Sequence, residues 1–253
     1  PLLAYAHLCP FLDAAAAALG KDRAGLRIYD PYFCEGGVKR RLAALGFTQV
    51  RNENEDFYAK IASGTVPEFD VLVTNPPYSE EHFQKLLDFA ATAVPRGAYF
   101  ALLVPNFVYN KDYYAPRFPG AAAPFYLCPK KRYQYATVKG RHQQKSANKT
   151  APFPSFWYLG LGGGAGGAKA KDAFIDDVKA RLGGRGLRAD VEVAAREGEM
   201  SSEKTAVNSA MSVRLARGAD ALPDDVLDHN DPRAKRLRNA KKRSKNKAKK
   251  RRK

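Results

Sequence analysis

Four consecutive residues, Asn75, Pro76, Pro77 and Tyr78, carry the clearest chemistry in the chain. The Asn75 amide oxygen and the Pro76 carbonyl can each accept a hydrogen bond from one amine. The Tyr78 ring can stack on a planar group, a contact worth about 1–3 kcal/mol per nucleobase. The combination suits a flat substrate bearing an NH2 group. With both N–H bonds held, the nitrogen lone pair turns toward an electrophile, and tetrahedral nitrogen is favoured in the transition state. For a bare Asn-Pro-Pro-Tyr, the alternative reading is a surface turn in which Tyr78 only packs.

The neighbouring residues set where this loop must lie. Phe69-Asp-Val-Leu-Val-Thr74 directly precedes it and is a near-continuous apolar run, the pattern of a strand buried on both faces. Two prolines cannot continue a central strand, because they remove ladder donors and fix φ. The chain therefore leaves the sheet as a rigid loop at a strand's carboxyl end, the edge where open α/β sheets bind ligands. Upstream, Leu26–Asp30 reads as a short strand ending in an acid, followed by Gly36 and Gly37. Val38, Leu42 and Leu45 then mark a helix face closed by Gly46. Phe47–Arg51 reads as a second strand and Asp56–Ser63 as one or two helical turns. Ser79 caps a helix with Phe83, Leu86, Leu87 and Ala90 on one face, and Tyr99–Val104 is another buried strand. Phe125–Cys128 and Ser155–Leu161 follow as later strands, with Trp157 read mainly as core. This alternation predicts an α/β, Rossmann-like fold: a mostly parallel sheet with helices on both faces and a C-terminal antiparallel hairpin.

Asn75-Pro76-Pro77-Tyr78, placed behind a buried strand and about 45 residues after an acidic, glycine-containing strand end, resembles the catalytic loop of class I S-adenosylmethionine-dependent amino-methyltransferases, especially those acting on the N6 amine of adenine in DNA or RNA. The resemblance covers about residues 24–160. Tyr29-Asp-Pro-Tyr-Phe-Cys-Glu-Gly-Gly37 is similar to that family's cofactor loop, with one extra residue and with Glu35 where glycine is usual. The resemblance implies S-adenosylmethionine as cofactor, held by Asp30, Pro31, Tyr32, Gly36 and Gly37, with Asp30 facing the amino group of the methionine moiety. It further implies that Asn52 or Glu53 binds the ribose, and that Asp56 and Phe57 form the adenine-binding pair. These are compressed into Asn52–Tyr58, without room for a full intervening helix and strand. A solvated acidic loop is the plainer reading of that stretch.

Guanine N2 in RNA and the side-chain amide of glutamine present similar planar amines and stay open as substrates. So does a non-catalytic, nucleic-acid-binding pseudo-methyltransferase. The chain lacks a cysteine in the loop, as cytosine C5 chemistry would need. It also lacks a GxGxxG after the first strand, as a nicotinamide enzyme would need, and it has no CxxC, HxxxH or HExxH spacing, so no metal site is expected.

The charge points to a polyanion. The formal net charge is +17, and Asp231–Lys253 alone carries 14 Lys or Arg against one Asp. A basic stretch between the two late strands interleaves cations with aromatic rings. Lys131, Arg132, Tyr133, Tyr135 and Arg141 are its candidate nucleic-acid contacts, reading phosphates and stacking on bases in a single strand or at a flipped base. An ordinary solvated loop would look the same. Tyr109, Lys111, Tyr113 and Tyr114 are candidates for a further pocket wall, or for packing. The basic tail also suits a nuclear or nucleolar address in a eukaryote, with a cytoplasmic location otherwise.

The expected domain plan is a methyltransferase domain over 1–161, a Gly-rich linker over 162–170 and a helix–strand extension over 171–196, the strand being Leu187–Ala194. Residues 197–253 are expected to be mostly disordered, with the basic tail at 233–253. The longest apolar runs are far below the ~18 residues of a membrane span, so no membrane partner is expected. A partner subunit is left open. Three scattered cysteines make no disulfide framework. The chain opens on Pro1 rather than Met, as a trimmed chain would.

Overall fold

The structure, a computed structural model, describes residues 1–93, 97–133, 153–161, 167–196 and 211–250. Its centre is a seven-stranded mixed sheet. The strands are β1 (Ile28–Tyr29), β2 (Val50–Arg51), β3 (Val71–Thr74), β4 (Tyr99–Pro105), β5 (Phe125–Pro129), β6 (Ser155–Gly160) and β7 (Val213–Ala216). They are ordered β2-β1-β3-β4-β6-β5-β7. The first four are mutually parallel, β6 runs antiparallel to both β4 and β5, and β7 closes the edge antiparallel to β5. The fold is the Rossmann-like α/β arrangement that the alternation predicts, with its antiparallel C-terminal strands.

The strands are short where the sequence shows only two or three β-formers in a row, and long where it is continuously apolar. Every residue of β3, β4, β5 and β6 is buried. One core lies between the sheet and α1 (Leu2–Ala18), α2 (Gly37–Ala44), α5 (Gly167–Leu182) and α6 (Arg185–Arg196). The other lies under α3 (Phe57–Ser63), α4 (Glu80–Ala93) and the C-terminal segment containing Leu222, Val226 and Leu227. Helix α1 is apolar over most of its surface because the fold covers most of it from Leu2 to Ala16, and Trp157 on β6 donates its indole N–H to the Ala4 carbonyl at 2.9 Å.

Three expectations give way. Leu187–Ala194 forms the helix α6 rather than a strand, because Leu187, Val191 and Ala194 repeat at helical spacing and bury against α1. Residues 171–196 are not an extension, since Ile175, Val178, Leu187 and Val191 belong to the same core as α1. The region beyond 211 is structured: β7 pairs with β5, Leu222 and Val226 are buried, and α7 (Pro232–Lys250) is helical where composition predicts disorder. Lys, Arg and Ala are good helix formers, and Asp231 caps this helix by accepting from Arg233 N at 2.7 Å. Among the described residues, no helix is long and apolar enough to cross a membrane.

Candidate functional site

The sheet order reverses between β1 and β3. From β1 the chain crosses to β2 on one side, then returns to lay β3 on the other. Such a switch point opens a crevice at the strands' carboxyl ends. Asp30 follows the last residue of β1 and Asn75 follows the last residue of β3, so the two sequence motifs meet there.

Asp30 is 5% exposed. Its Oδ1 accepts from the Thr74 hydroxyl at 2.6 Å and from Tyr32 N at 3.2 Å, which ties the two strand ends together. Burial outweighs both hydrogen bonds and raises its pKa to about 7. Both bonds fall on Oδ1, which leaves Oδ2 as the oxygen for a cation. Sequence reasoning misses Thr74. Its only signal is to be the one hydroxyl closing an otherwise aliphatic strand.

The Asp30–Gly37 loop turns through Gly36, whose N donates to the Phe33 carbonyl at 2.7 Å. Gly36 has φ 67°, and a Cβ there would sit 2.9 Å from the Phe33 ring, so only glycine fits. Helix α2 starts at Gly37. Pro31 is buried beside Asp30, and Glu35 is exposed at the turn. Tyr32 is half-buried, hydrogen-bonded through its hydroxyl to that of Tyr58 at 2.9 Å, with His82 of α4 at 6.2 Å between ring centroids.

The two ribose candidates separate. Asn52 is 0% exposed, and its Nδ2 donates to the backbone carbonyls of Asp30 (3.1 Å) and Tyr32 (3.2 Å). It braces the loop from behind and cannot reach a hydroxyl in the crevice, a correction to the reading that it binds ribose. Its Oδ1 is buried without a partner. Glu53 stays on the surface, paired with Lys39 at 2.6 Å. The Asp56–Phe57 pair is also corrected. Asp56 is the N-cap of α3, accepting from Tyr58 N and Ala59 N, and Phe57 is 4% exposed among Tyr29, Tyr32 and Phe89. A polar residue directly before a helical turn caps it, and an aromatic ring in the first turn over a sheet is drawn into the core. Tyr58 and His82, half-buried, are the rings at that side of the crevice.

In the Asn75–Tyr78 loop, the Asn75 Oδ1 is buried and accepts from nothing. Pro76 is buried and Pro77 exposed. The Tyr78 ring is 42% exposed and its hydroxyl lies 3.3 Å from Ser155 Oγ at the start of β6. A buried amide oxygen without a partner costs about 1–3 kcal/mol, so the Asn75 oxygen, which follows directly on β3 at the switch point, needs an explanation.

Of the candidate nucleic-acid contacts, Lys131 and Arg132 are exposed. Tyr133 is a correction: it is 3% exposed and hydrogen-bonded to His7 Nδ1 at 2.9 Å, a core residue joining α1 to the end of β5. Tyr135 and Arg141 lie outside the described residues. Tyr109 and Tyr114 are buried, bonded to Asp231 and Tyr126 respectively, so they pack and do not face a pocket. Lys111 is exposed above the Phe107 ring. Among the described residues no cluster of His, Cys, Asp and Glu could hold a metal ion.

Comparison with known proteins returns nothing: no family model, no curated protein and no solved structure matches the chain. The site alone carries the functional reading.

Proposed function

We propose that the protein is an S-adenosylmethionine-dependent methyltransferase acting on an exocyclic amine in nucleic acid, adenine N6 foremost. The observation that carries this is the Asn75 oxygen: a buried acceptor with no internal partner, in a proline-stiffened loop at the switch point, next to a buried acid. A flat amine supplies the donor that this oxygen lacks.

The residues present fit the cofactor at three places. Asp30 offers a carboxylate oxygen to an ammonium group. The backbone at Gly36 and Gly37 permits close approach. Glu53, a surface acid just after β2 paired with Lys39, would be the carboxylate for the ribose hydroxyls. The purine side departs from expectation, since Phe57 is closed into the core and Tyr58 and His82 stand there instead. When bound, S-adenosylmethionine supplies a methyl group on a positively charged sulfur.

The chain's own residues do the rest. Asn75 Oδ1 and the Pro76 carbonyl accept the two N–H bonds of the amine and orient its lone pair. They also stabilise the N–H bonds as the nitrogen gains positive charge, an interaction that strengthens toward the transition state. Tyr78 holds the ring plane, with its hydroxyl leaning on Ser155. Burial pushes the Asp30 carboxyl up to about 7, and a cation at Oδ2 favours its charged form.

Calorimetric titration of the purified chain with S-adenosylmethionine tests the cofactor half of this reading. The expected result is binding in the micromolar range that Asp30→Ala abolishes. No heat from a chain shown to be folded by circular dichroism overturns it.

A further inference from the structure

A cavity opens over the carboxyl end of β4. It has a volume of about 510 Å3; Phe107, Phe153, Lys111 and Arg132 line it, with the carboxylates of Asp225 and Asp228 on the side of the C-terminal segment. That volume lies within the ~300–1,000 Å3 of sites that take one small organic group. A line of rings leads to it from the Asn75 loop. Tyr78 meets Phe83 at 6.0 Å, Phe83 meets Phe107 at 6.2 Å, and Phe107 meets Phe153 at 5.1 Å. The ends of this line, Tyr78 and Phe153, are 42% and 44% exposed.

The basic helix begins at the rim of the same cavity. Asp231 caps it and also accepts from the Tyr109 hydroxyl at 2.9 Å. Arg233 donates to the Ala219 carbonyl at 2.7 Å, Leu237 packs against the core, and Arg238 donates to the carbonyl of His229, a cavity residue, at 2.6 Å. After Arg238 the helix holds no apolar residue larger than Ala, and along its whole length no acid. Lys235, Arg236, Lys241 and Lys242 are exposed. An acid-free, cation-rich helix anchored for two turns beside a cavity that carries two aromatic rings and two cations is matched by a chain of flat rings on an anionic backbone.

We propose that this cavity and α7 form one continuous path for a single-stranded polynucleotide, with a nucleotide next to the target stacked at Phe107 and Phe153 and the following phosphates running along α7. The path rests on the nucleic-acid reading of the substrate and adds to it which part of the strand goes where. Ribose and deoxyribose strands share the chemistry that the path recognises, a base face and a phosphodiester.

Binding of fluorescent single-stranded RNA and DNA oligonucleotides, followed by anisotropy across a salt series without cofactor, tests it. Three proteins are compared: the full chain, Phe153→Ala, and a variant with Lys235, Arg236, Lys241 and Lys242 all changed to Gln. The Phe153 ring is exposed and the four cations lie on the surface, so both variants should fold, which thermal melts check. Phe153→Ala is expected to weaken binding about 5- to 150-fold with the salt slope unchanged, because a stacked ring releases no counterions. The fourfold variant is expected to lower the slope of log K against log salt by roughly 2–3, at about 0.7 per phosphate contact. Tighter binding of RNA or of DNA assigns the sugar, and either supports the path. Absence of binding, a Phe153→Ala variant that binds normally, or equal binding of blunt duplex overturns it. The assay holds no methyl donor, so a failure to transfer methyl groups and a failure of this path give different results.

Discussion

Replacing Asp30 by asparagine removes one charge and little else. The amide oxygen of the Asp30→Asn variant can still accept from the Thr74 hydroxyl and from Tyr32 N, which are the two bonds Asp30 makes. The carboxyl's pKa is about 7 in the folded protein, against an ordinary value of 3.8. A folded pKa raised above the unfolded value means that the folded state holds the extra proton between these two limits, so the charge costs stability as pH rises. Three units at about 1.36 kcal/mol each give a full cost of about 4 kcal/mol above pH 8. Near pH 5 the unfolded chain has lost most of this proton while the folded chain keeps it, and about 2 kcal/mol remains. Asp30→Asn should therefore be more stable than the natural chain by about 4 kcal/mol at pH 8, about 2 kcal/mol at pH 5 and close to zero at pH 3. Urea unfolding followed by circular dichroism at these pH values measures the differences. A destabilised variant, or a gain that does not change with pH, would refute the argument that Asp30 is held against its own solvation. The same variant should fail to bind S-adenosylmethionine, the pattern of a residue kept for function at a cost in stability.

Other outcomes follow from the same geometry. S-adenosylmethionine affinity should rise nearly tenfold per pH unit below about pH 7 and level off above it, with proton release visible as a buffer-dependent heat. Asn75→Ala should leave stability within about 1 kcal/mol, because its oxygen has no internal partner, while methyl transfer falls by about 100-fold or more, as when one positioned transition-state hydrogen bond is lost. Tyr78→Phe should retain substrate affinity and Tyr78→Ala should lose about 5- to 150-fold, since the ring face carries the contact and the Ser155 bond is long. Tyr133→Phe should cost about 1–2 kcal/mol in unfolding and leave oligonucleotide affinity unchanged, which separates a core hydrogen bond from a nucleic-acid contact.

What could be read from the residues follows how local each signal is. Strands β3 and β4 are legible because each is a continuous apolar run between strong breakers, and the Asn75 loop is legible because two prolines leave the chain no other course. The loop between Asp30 and α2 is legible through its acid and its glycine pair. Strand β7 is not, because Val213–Ala216 becomes a strand only through pairing with the distant β5, where Val213 stands opposite Pro129 and Ala216 opposite Tyr126. Helix α6 misleads because Val191 and Val193 favour strands by propensity, while the packing of Leu187, Val191 and Ala194 on α1 decides the outcome. In the candidate site, residue type singles out Asp30 and Asn75 as candidates but does not tell a brace from a ligand. Asn52, Asp56 and Phe57 have the right chemistry for a cofactor and spend it on a loop, a helix cap and the core.

Nucleoside mass spectrometry of single-stranded RNA and DNA oligonucleotides incubated with the protein and S-adenosylmethionine bears most directly on the central claim. The account predicts a gain of one methyl group on the exocyclic amine of adenosine or deoxyadenosine, strongly reduced with Asn75→Ala. A folded protein that binds both cofactor and oligonucleotide yet modifies no base amine would contradict it.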